Sequence, residues 1–337
     1  MKTIHVNLRT YVLIASFALF VFTSARVEAS TMPRPSELAG NALFSVTVTG
    51  HGKPMILIPG LASSGDTWAG TVAHFESHYT CYVLTLAGFA GVPPVPPPLL
   101  SKVRDGLAAL IRQRNLRQPV VVGHSLGGSI ALDLAARYPQ LVGPVIIVDS
   151  LPFYAGAWFQ AKNLEQAKPM IARMREFMQS ETPAQYEATA RSGVQVKYMV
   201  TSPKRLQEII SWGLASDPKT VNDAFIELVS EDLRPELARI TSPTLVLGTW
   251  KDFREEVRQY HTNVTRADFV ETFQNQYALL PHLHFVMCDT ARHFIMFDDP
   301  DWLYSQLDAF LSNPSEATRN RGFGPQTSAG STPPSKK

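Results

Sequence analysis

The chain has 337 residues, 45% of them hydrophobic and 18% charged, which is the composition of a globular protein and excludes wholesale disorder. Its formal net charge of +2 is uneven. The first 29 residues carry Lys2, Arg9 and Arg26 against Glu28, and the last 25 carry Arg319, Arg321, Lys336 and Lys337 against Glu316, which leaves the intervening body at −3. A slightly acidic body without a basic stripe excludes nucleic acid as the expected partner.

At the N-terminus, Lys2 and Arg9 precede the almost wholly apolar run Tyr11–Phe22, and Val27-Glu28-Ala29 offers small side chains at the two positions a signal peptidase reads. Twelve apolar residues are too few to span a bilayer comfortably, so residues 1–29 read as a signal peptide cleaved after Ala29. The alternative is an uncleaved N-terminal anchor. Either way the body is expected outside the cytoplasm, periplasmic or secreted.

Leu43 to Gly52 reads as a strand. Solid apolar runs follow at Met55–Ile58, Cys81–Leu86, Pro119–Val122, Val145–Val148, Thr244–Leu247 and His284–Met287, each ending at Gly, Pro or a small polar residue. Continuous rather than alternating runs mark strands buried on both faces. Helical stretches at Ser101–Asn115 and Ser129–Tyr138 lie between them, which implies a parallel sheet covered on both sides.

Between Ser150 and Ile240 no buried strand is evident, and the signals are helical. Met170, Ile171, Met174, Phe177 and Met178 share one helix face, as do Val221, Ala224, Phe225, Leu228 and Val229, while Ser202-Pro203 and Asp217-Pro218 are helix openings. The Met stripe fits core packing or an apolar substrate wall. Gly88–Pro98, with five prolines in six residues from Pro93, reads as a stiff loop beyond a strand end. Residues 313–337 are rich in Ser, Thr, Pro and Gly and read as a disordered tail.

Gly123-His124-Ser125-Leu126-Gly127 is a G-x-S-x-G pentapeptide with an apolar strand before it and a helix after it. A serine on so tight a turn needs small neighbours, and the turn presents its hydroxyl at a helix N-terminus. Ser125 is the candidate nucleophile. It needs a base, and His293, in the loop after the last strand, is the candidate; His124 reads as a support residue. A third group must hold the imidazole tautomer. Asp252 is the preferred candidate and Asp149, at the end of Val145–Val148, stays open. For the oxyanion the candidates are the backbone N–H groups of Leu126 and of Leu61, where Gly60 lets the chain turn close. His282-x-His284 is the nearest approach to a metal pair and reads as packing. No metal or cofactor is expected.

With LIPGLASSGDTW at Leu57–Trp68, GHSLGG at Gly123–Gly128, PTLVLGTWKD at Pro243–Asp252 and ARHFIMFDDP at Ala291–Pro300, the chain resembles the α/β-hydrolases of the capped serine esterase and peptidase type. The resemblance implies a mostly parallel twisted sheet of about eight strands with helices on both faces. It places the core at 30–150 and 240–312 and a helical cap at 151–239, between strands 6 and 7. It also gives Ser125 and His293 their roles. Departures are Pro59-Gly60 where the family commonly has His-Gly, Asp252 four rather than three residues after Gly248, and Thr85 where an Asp often stands. The spacing at Asp252 keeps Asp149 open. The fold further implies that Cys81 and Cys288 lie about five strands apart, roughly 24 Å at the usual spacing, and so stay as free buried thiols.

The expected function is a serine hydrolase acting on small to medium apolar carboxylic esters through an acyl-enzyme. The alternatives are an aminopeptidase or amidase, with Glu227, Glu231 or Asp232 holding a substrate amine, a C–C bond hydrolase, or a non-catalytic binding module. The expected partner is a small-molecule ester.

Overall fold

The computed structural model describes residues 42–251 and 265–314. The signal-peptide reading of residues 1–29 and nearly all of the tail read at 313–337 lie outside them. Seven strands form one sheet: β1 (Phe44–Gly50), β2 (Lys53–Ile58), β3 (Tyr79–Leu86), β4 (Val120–His124), β5 (Val145–Val148), β6 (Thr244–Thr249) and β7 (Leu283–Cys288). Their order is β1-β3-β2-β4-β5-β6-β7. Only β1 runs antiparallel, against β3. Every apolar run read as a strand is present. The described sheet therefore has seven strands rather than eight, and the inserted helices follow the fifth of them.

The helices are α1 (Ala69–Phe75), α2 (Leu100–Gln113), α3 (Leu126–Arg137), α4 (Tyr154–Phe159), α5 (Leu164–Ser180), α6 (Pro183–Ser192), α7 (Pro203–Leu214), α8 (Pro218–Val229), α9 (Arg266–Gln276), α10 (Ile295–Asp298) and α11 (Pro300–Ser312). The strands are solidly apolar because both of their faces are covered. Ile56, Ile58, Val121, Ile147 and Val246 join one buried cluster with Val103 and Leu107 of α2 and Leu132 of α3. Their neighbours Met55, Leu57, Val122, Ile146 and Leu245 join another, with Phe75 of α1 and Leu303, Leu307 and Phe310 of α11. Each such side chain contributes on the order of 2 kcal/mol by leaving water, so a polar residue on either face of a central strand would be costly. The two cysteines, on strands five places apart in the sheet, are free and buried.

Helices α4–α8 occupy the stretch read as helical. Their starts follow local chemistry. Asn163, Thr182, Ser202 and Asp217 each accept a hydrogen bond from a first-turn N–H, and Thr182 with Gln185 completes a capping box. Of the Met stripe, Ile171 is buried and Met174 and Met178 pack on the core, whereas Phe177 is exposed. The proline-rich loop holds this layer down. Ala90 N donates to Ser216 Oγ (2.9 Å), Gly91 N to Ala215 O (2.9 Å), and Asp217 N to Gly88 O (2.7 Å). Gly88 has φ +79°, and a Cβ there would stand 2.4 Å from Thr220, so the clamp requires glycine.

A second tie uses Glu227 of α8, whose carboxylate accepts from Leu99 N (2.8 and 2.9 Å) and Leu100 N (2.9 Å) at the start of α2. Nearby, Asp133 of α3 takes Arg104 Nη1 at 2.6 Å and Arg137 Nε at 3.2 Å. Glu231 lies beside this group. Burial first, then the Asp133 carboxylate, push it from 4.5 up to about 7, with Arg104 and Arg137 pulling the other way. Because the folded value is raised, this group's contribution to stability is intact below pH 4.5 and is lost as pH rises through 7. Glu231→Gln is therefore expected to stabilise the protein by up to about 3 kcal/mol at pH 8 and to change little at pH 4, as read by urea unfolding at the two pH values.

Candidate active site

Ser125, Asp149, His293, Leu61 and Leu126 all fall at the C-terminal edge of the parallel strands, where open α/β sheets place their sites. Ser125 follows β4 directly and heads α3, with φ +52° and ψ −123°. This is a left-handed conformation that a non-glycine residue adopts only when its surroundings enforce it. The enforcement is visible in the flanking glycines. A Cβ on Gly123 would stand 2.2 Å from Gly127 O, one on Gly127 2.4 Å from Ile58 O, and one on Gly128 2.5 Å from Ser150 Cβ. Strand, turn and helix are thus in backbone contact, and Ser125 N is fixed by Val148 O at 3.0 Å.

Asp149 occupies the matching position after β5, also with positive φ (+47°), its N–H donating to Leu247 O at 2.7 Å. His293 lies on the loop after β7. Its Nδ1 is 2.5 Å from Asp149 Oδ2, with both side chains mostly buried. In sheet order β6 stands between β5 and β7, so the imidazole bridges two strand spacings, about 10 Å. β6 supplies the brace. Thr249 N donates to Asp149 Oδ1 (3.0 Å), and Thr249 Oγ1 donates to Ala291 O (2.6 Å) in the His293 loop. Both carboxylate oxygens are therefore engaged. A carboxylate on Nδ1 places the ring proton there and leaves Nε2 as the basic nitrogen.

Asp149, the aspartate left open in the sequence, meets the imidazole; Asp252, the preferred candidate, lies outside the described residues. Ser125, His293 and Asp149 come together on one edge, in chain order Ser…Asp…His. Gly60, after β2, approaches Ser125 so closely that a Cβ would stand 3.2 Å from Ser125 Cβ and 3.2 Å from His124 Nδ1. This brings the Leu61 segment over the serine. Leu126 N–H opens α3, where helix geometry provides no intrahelical acceptor.

His124 is fully buried, and its Nε2–H donates to His293 O at 3.0 Å. Burial, and then the neighbouring His293, hold it well below the usual 6.5, so it stays neutral. It supports the loop that carries His293 rather than exchanging protons. Further ties on that loop went unread in the sequence. Phe294 N donates to Met199 O (3.1 Å), and Arg292 Nη1 to Val200 O (3.0 Å). Asp298 accepts from Thr201 N (2.8 Å) and Arg292 N (3.0 Å). The only sequence signal for them is the Asp298-Asp299-Pro300 helix start. Among the described residues no cluster of His, Cys, Asp and Glu suits a metal ion, and no helix is long and apolar enough to cross a membrane.

The geometry predicts a far-downfield proton resonance from the His293 Nδ1–H. It should vanish in Asp149→Asn and persist in Asp252→Asn when one-dimensional proton NMR spectra are compared.

Comparison with known proteins agrees with this architecture. A sequence profile described as "Alpha/beta hydrolase family" matches residues 55–306. A "Putative carbamate hydrolase RutD" of Pseudomonas syringae pv. syringae (strain B728a) is 26% identical over 265 residues, covering 77% of this chain and 93% of that one. A "Pimeloyl-[acyl-carrier protein] methyl ester esterase" of Xylella fastidiosa (strain M23) is 26% identical over 210 residues, covering 61% and 79%. Among solved structures, a thermophilic esterase from Thermogutta terrifontis superposes with a TM-score of 0.64 at 20% identity, covering 81% of this chain and 94% of that one.

Proposed function

The chain belongs to the α/β-hydrolase family, and from that premise we propose that it is a serine carboxylesterase acting on small to medium apolar esters through an acyl-enzyme. The observation that carries the reading is the His293 Nδ1–Asp149 Oδ2 contact of 2.5 Å, made on the same sheet edge as the strained Ser125 turn. Ser125 Oγ attacks the ester carbonyl as His293 Nε2 takes its proton. Asp149 holds the tautomer and stabilises the imidazolium. The N–H groups of Leu126 and Leu61 receive the oxyanion. The imidazolium returns its proton to the leaving alcohol, and water then repeats the cycle on the acyl-enzyme.

An ester is favoured over an amine-bearing peptide by how the acids expected to bind an amine are engaged. Glu227 accepts the first N–H groups of α2, Asp232 pairs with Arg234 at 2.6 Å, and Glu231 is pushed up to about 7 by burial and then by Asp133, which weakens it as a carboxylate for an amine. Carbamates are the natural second substrate class, since the name of the Pseudomonas syringae relative refers to them and the acyl chemistry is the same. The N-terminal pattern supports export to the periplasm or the medium.

The test is hydrolysis of p-nitrophenyl esters from acetate to palmitate, beside a p-nitrophenyl carbamate. Ser125→Ala and His293→Ala are expected to lower kcat by about 10⁴-fold or more, and Asp149→Asn by about 10³- to 10⁴-fold. Asp252→Asn is expected to stay within about threefold. Turnover that survives Ser125→Ala, or collapse in Asp252→Asn with Asp149→Asn active, would overturn the assignment.

A further inference from the structure

A short irregular link, Ser150 to Phe153, joins the acid Asp149 to the start of α4. Outside regular secondary structure, its carbonyls need partners from elsewhere. Pro152 O takes Leu233 N at 2.8 Å, and Leu151 O takes Ser129 Oγ at 3.4 Å. The two carbonyls at the ends of the link are held from α9, by consecutive residues at its C-terminal end. Gln276 Nε2 donates to Phe153 O at 3.1 Å, and Tyr277 Oη donates to Ser150 O at 2.8 Å. Both side chains are buried.

The Tyr277 bond is the one that meets the residue next to the acid. Asp149 keeps its φ of +47° without being glycine, a conformation that lasts only where the surroundings enforce it. Leu247 O fixes the Asp149 N–H on one side, and the phenol fixes the peptide that follows on the other. The phenol is itself rigidly placed. Its ring stacks on Phe273, which lies so close to Gly248 of β6 that a Cβ there would stand 2.9 Å from Phe273 Cζ. Burial first, then Tyr154 and Asp149, push the Tyr277 phenol well above the ordinary phenol range, so it remains a donor. Packing alone would be met by phenylalanine, whereas the hydroxyl brings a buried polar group that needs a partner.

Resting on the serine hydrolase reading above, we propose that Tyr277 is a positioning residue: its hydrogen bond to Ser150 O holds the backbone at Asp149 so that the carboxylate meets His293 Nδ1. Gln276 is the weaker second hold, at the far end of the same link. Tyr277 touches neither substrate nor the reacting atoms and gives up no proton. Its effect reaches the reaction through the Asp149–His293 pair. If the carboxylate is misplaced, the imidazolium that forms in the transition state is less stabilised, so kcat falls rather than KM rising. The imidazole also becomes less basic, because a carboxylate beside it favours its cationic form. His124 stays neutral, so the acid limb of kcat/KM reports His293, and it moves to lower pH.

Tyr277→Phe removes the hydroxyl and keeps the ring. With p-nitrophenyl acetate, kcat is expected to fall about 10- to 100-fold with KM within about threefold. The acid limb should move down by roughly half a pH unit or more. The downfield His293 Nδ1–H resonance should shift upfield or broaden in spectra taken at one pH. Leu280→Ala is the packing control: Leu280 is buried just beyond the same helix end, and its N–H donates to Tyr277 O at 3.0 Å. It should lower stability to urea while leaving the limb and the resonance in place. Gln276→Met, which removes the other donor, is expected to change kcat, limb and resonance in the same direction more weakly, and it decides the matter if Tyr277→Phe does not fold. A folded variant whose limb and resonance match the wild type, whatever its kcat, overturns the role of Tyr277. So does a Leu280→Ala protein that moves both as far. A wild type that neither turns over the ester nor reacts at Ser125 with a fluorophosphonate overturns instead the serine hydrolase reading, while the resonance still reads the Asp149–His293 pair on its own.

Discussion

The site depends first on a backbone turn with no spare volume. Gly123, Gly127 and Gly128 bring β4, α3, the end of β2 and the residue after Asp149 into contact at distances a single Cβ would violate. The strained φ of Ser125 follows from that packing, and so do the direction of its side chain and the placement of Leu126 N–H at the helix start. The sheet's parallel register then puts the residues after β2 and β5 level with this turn. The strain is sustained because the two buried apolar clusters hold the strands in place from both faces.

Electrostatic order is imposed by a second set of fixed contacts. Asp149 is held by its own backbone N–H on Leu247 O and by Thr249 N on its side chain, so its carboxylate meets the imidazole without needing to search for it. The His293 loop is tied to β6 through Thr249 Oγ1, to β4 through His124, and to the inserted helices through Phe294 N, Arg292 and Asp298. The helices between β5 and β6 and the imidazole are therefore parts of one braced unit. Neutral His124 adds a donor to this brace without adding a buried charge beside an imidazole that must become cationic.

Much of this was legible in the sequence because it is written in local patterns. Solid apolar runs specified the strands, glycines around Ser125 specified the turn, and Ser202-Pro203 and Asp217-Pro218 specified helix starts. What was not legible depends on register between distant segments. Asp252 and Asp149 are both aspartates near strand ends, and only the arrangement of β5, β6 and β7 sets Asp149 opposite His293, with Thr249 occupying the β6 end. The hydrogen bond between Ser150 and Tyr154 beside the turn needs the Gly128–Ser150 approach, which no spacing rule foretells. The Met stripe misled in part. Phe177 fits the periodicity, yet the face of α5 that packs carries Ile171, Met174 and Met178 and leaves Phe177 outside.

The most direct test of the central claim is to trap the covalent intermediate. The protein is mixed with p-nitrophenyl acetate, quenched in acid during turnover, digested and read by peptide mass spectrometry. The account predicts one acetyl group, on Ser125 in the peptide containing Gly-His-Ser-Leu-Gly, and its disappearance on chase in fresh buffer. An acetyl group on another residue, or turnover with Ser125 unmodified at every quench time, would contradict it.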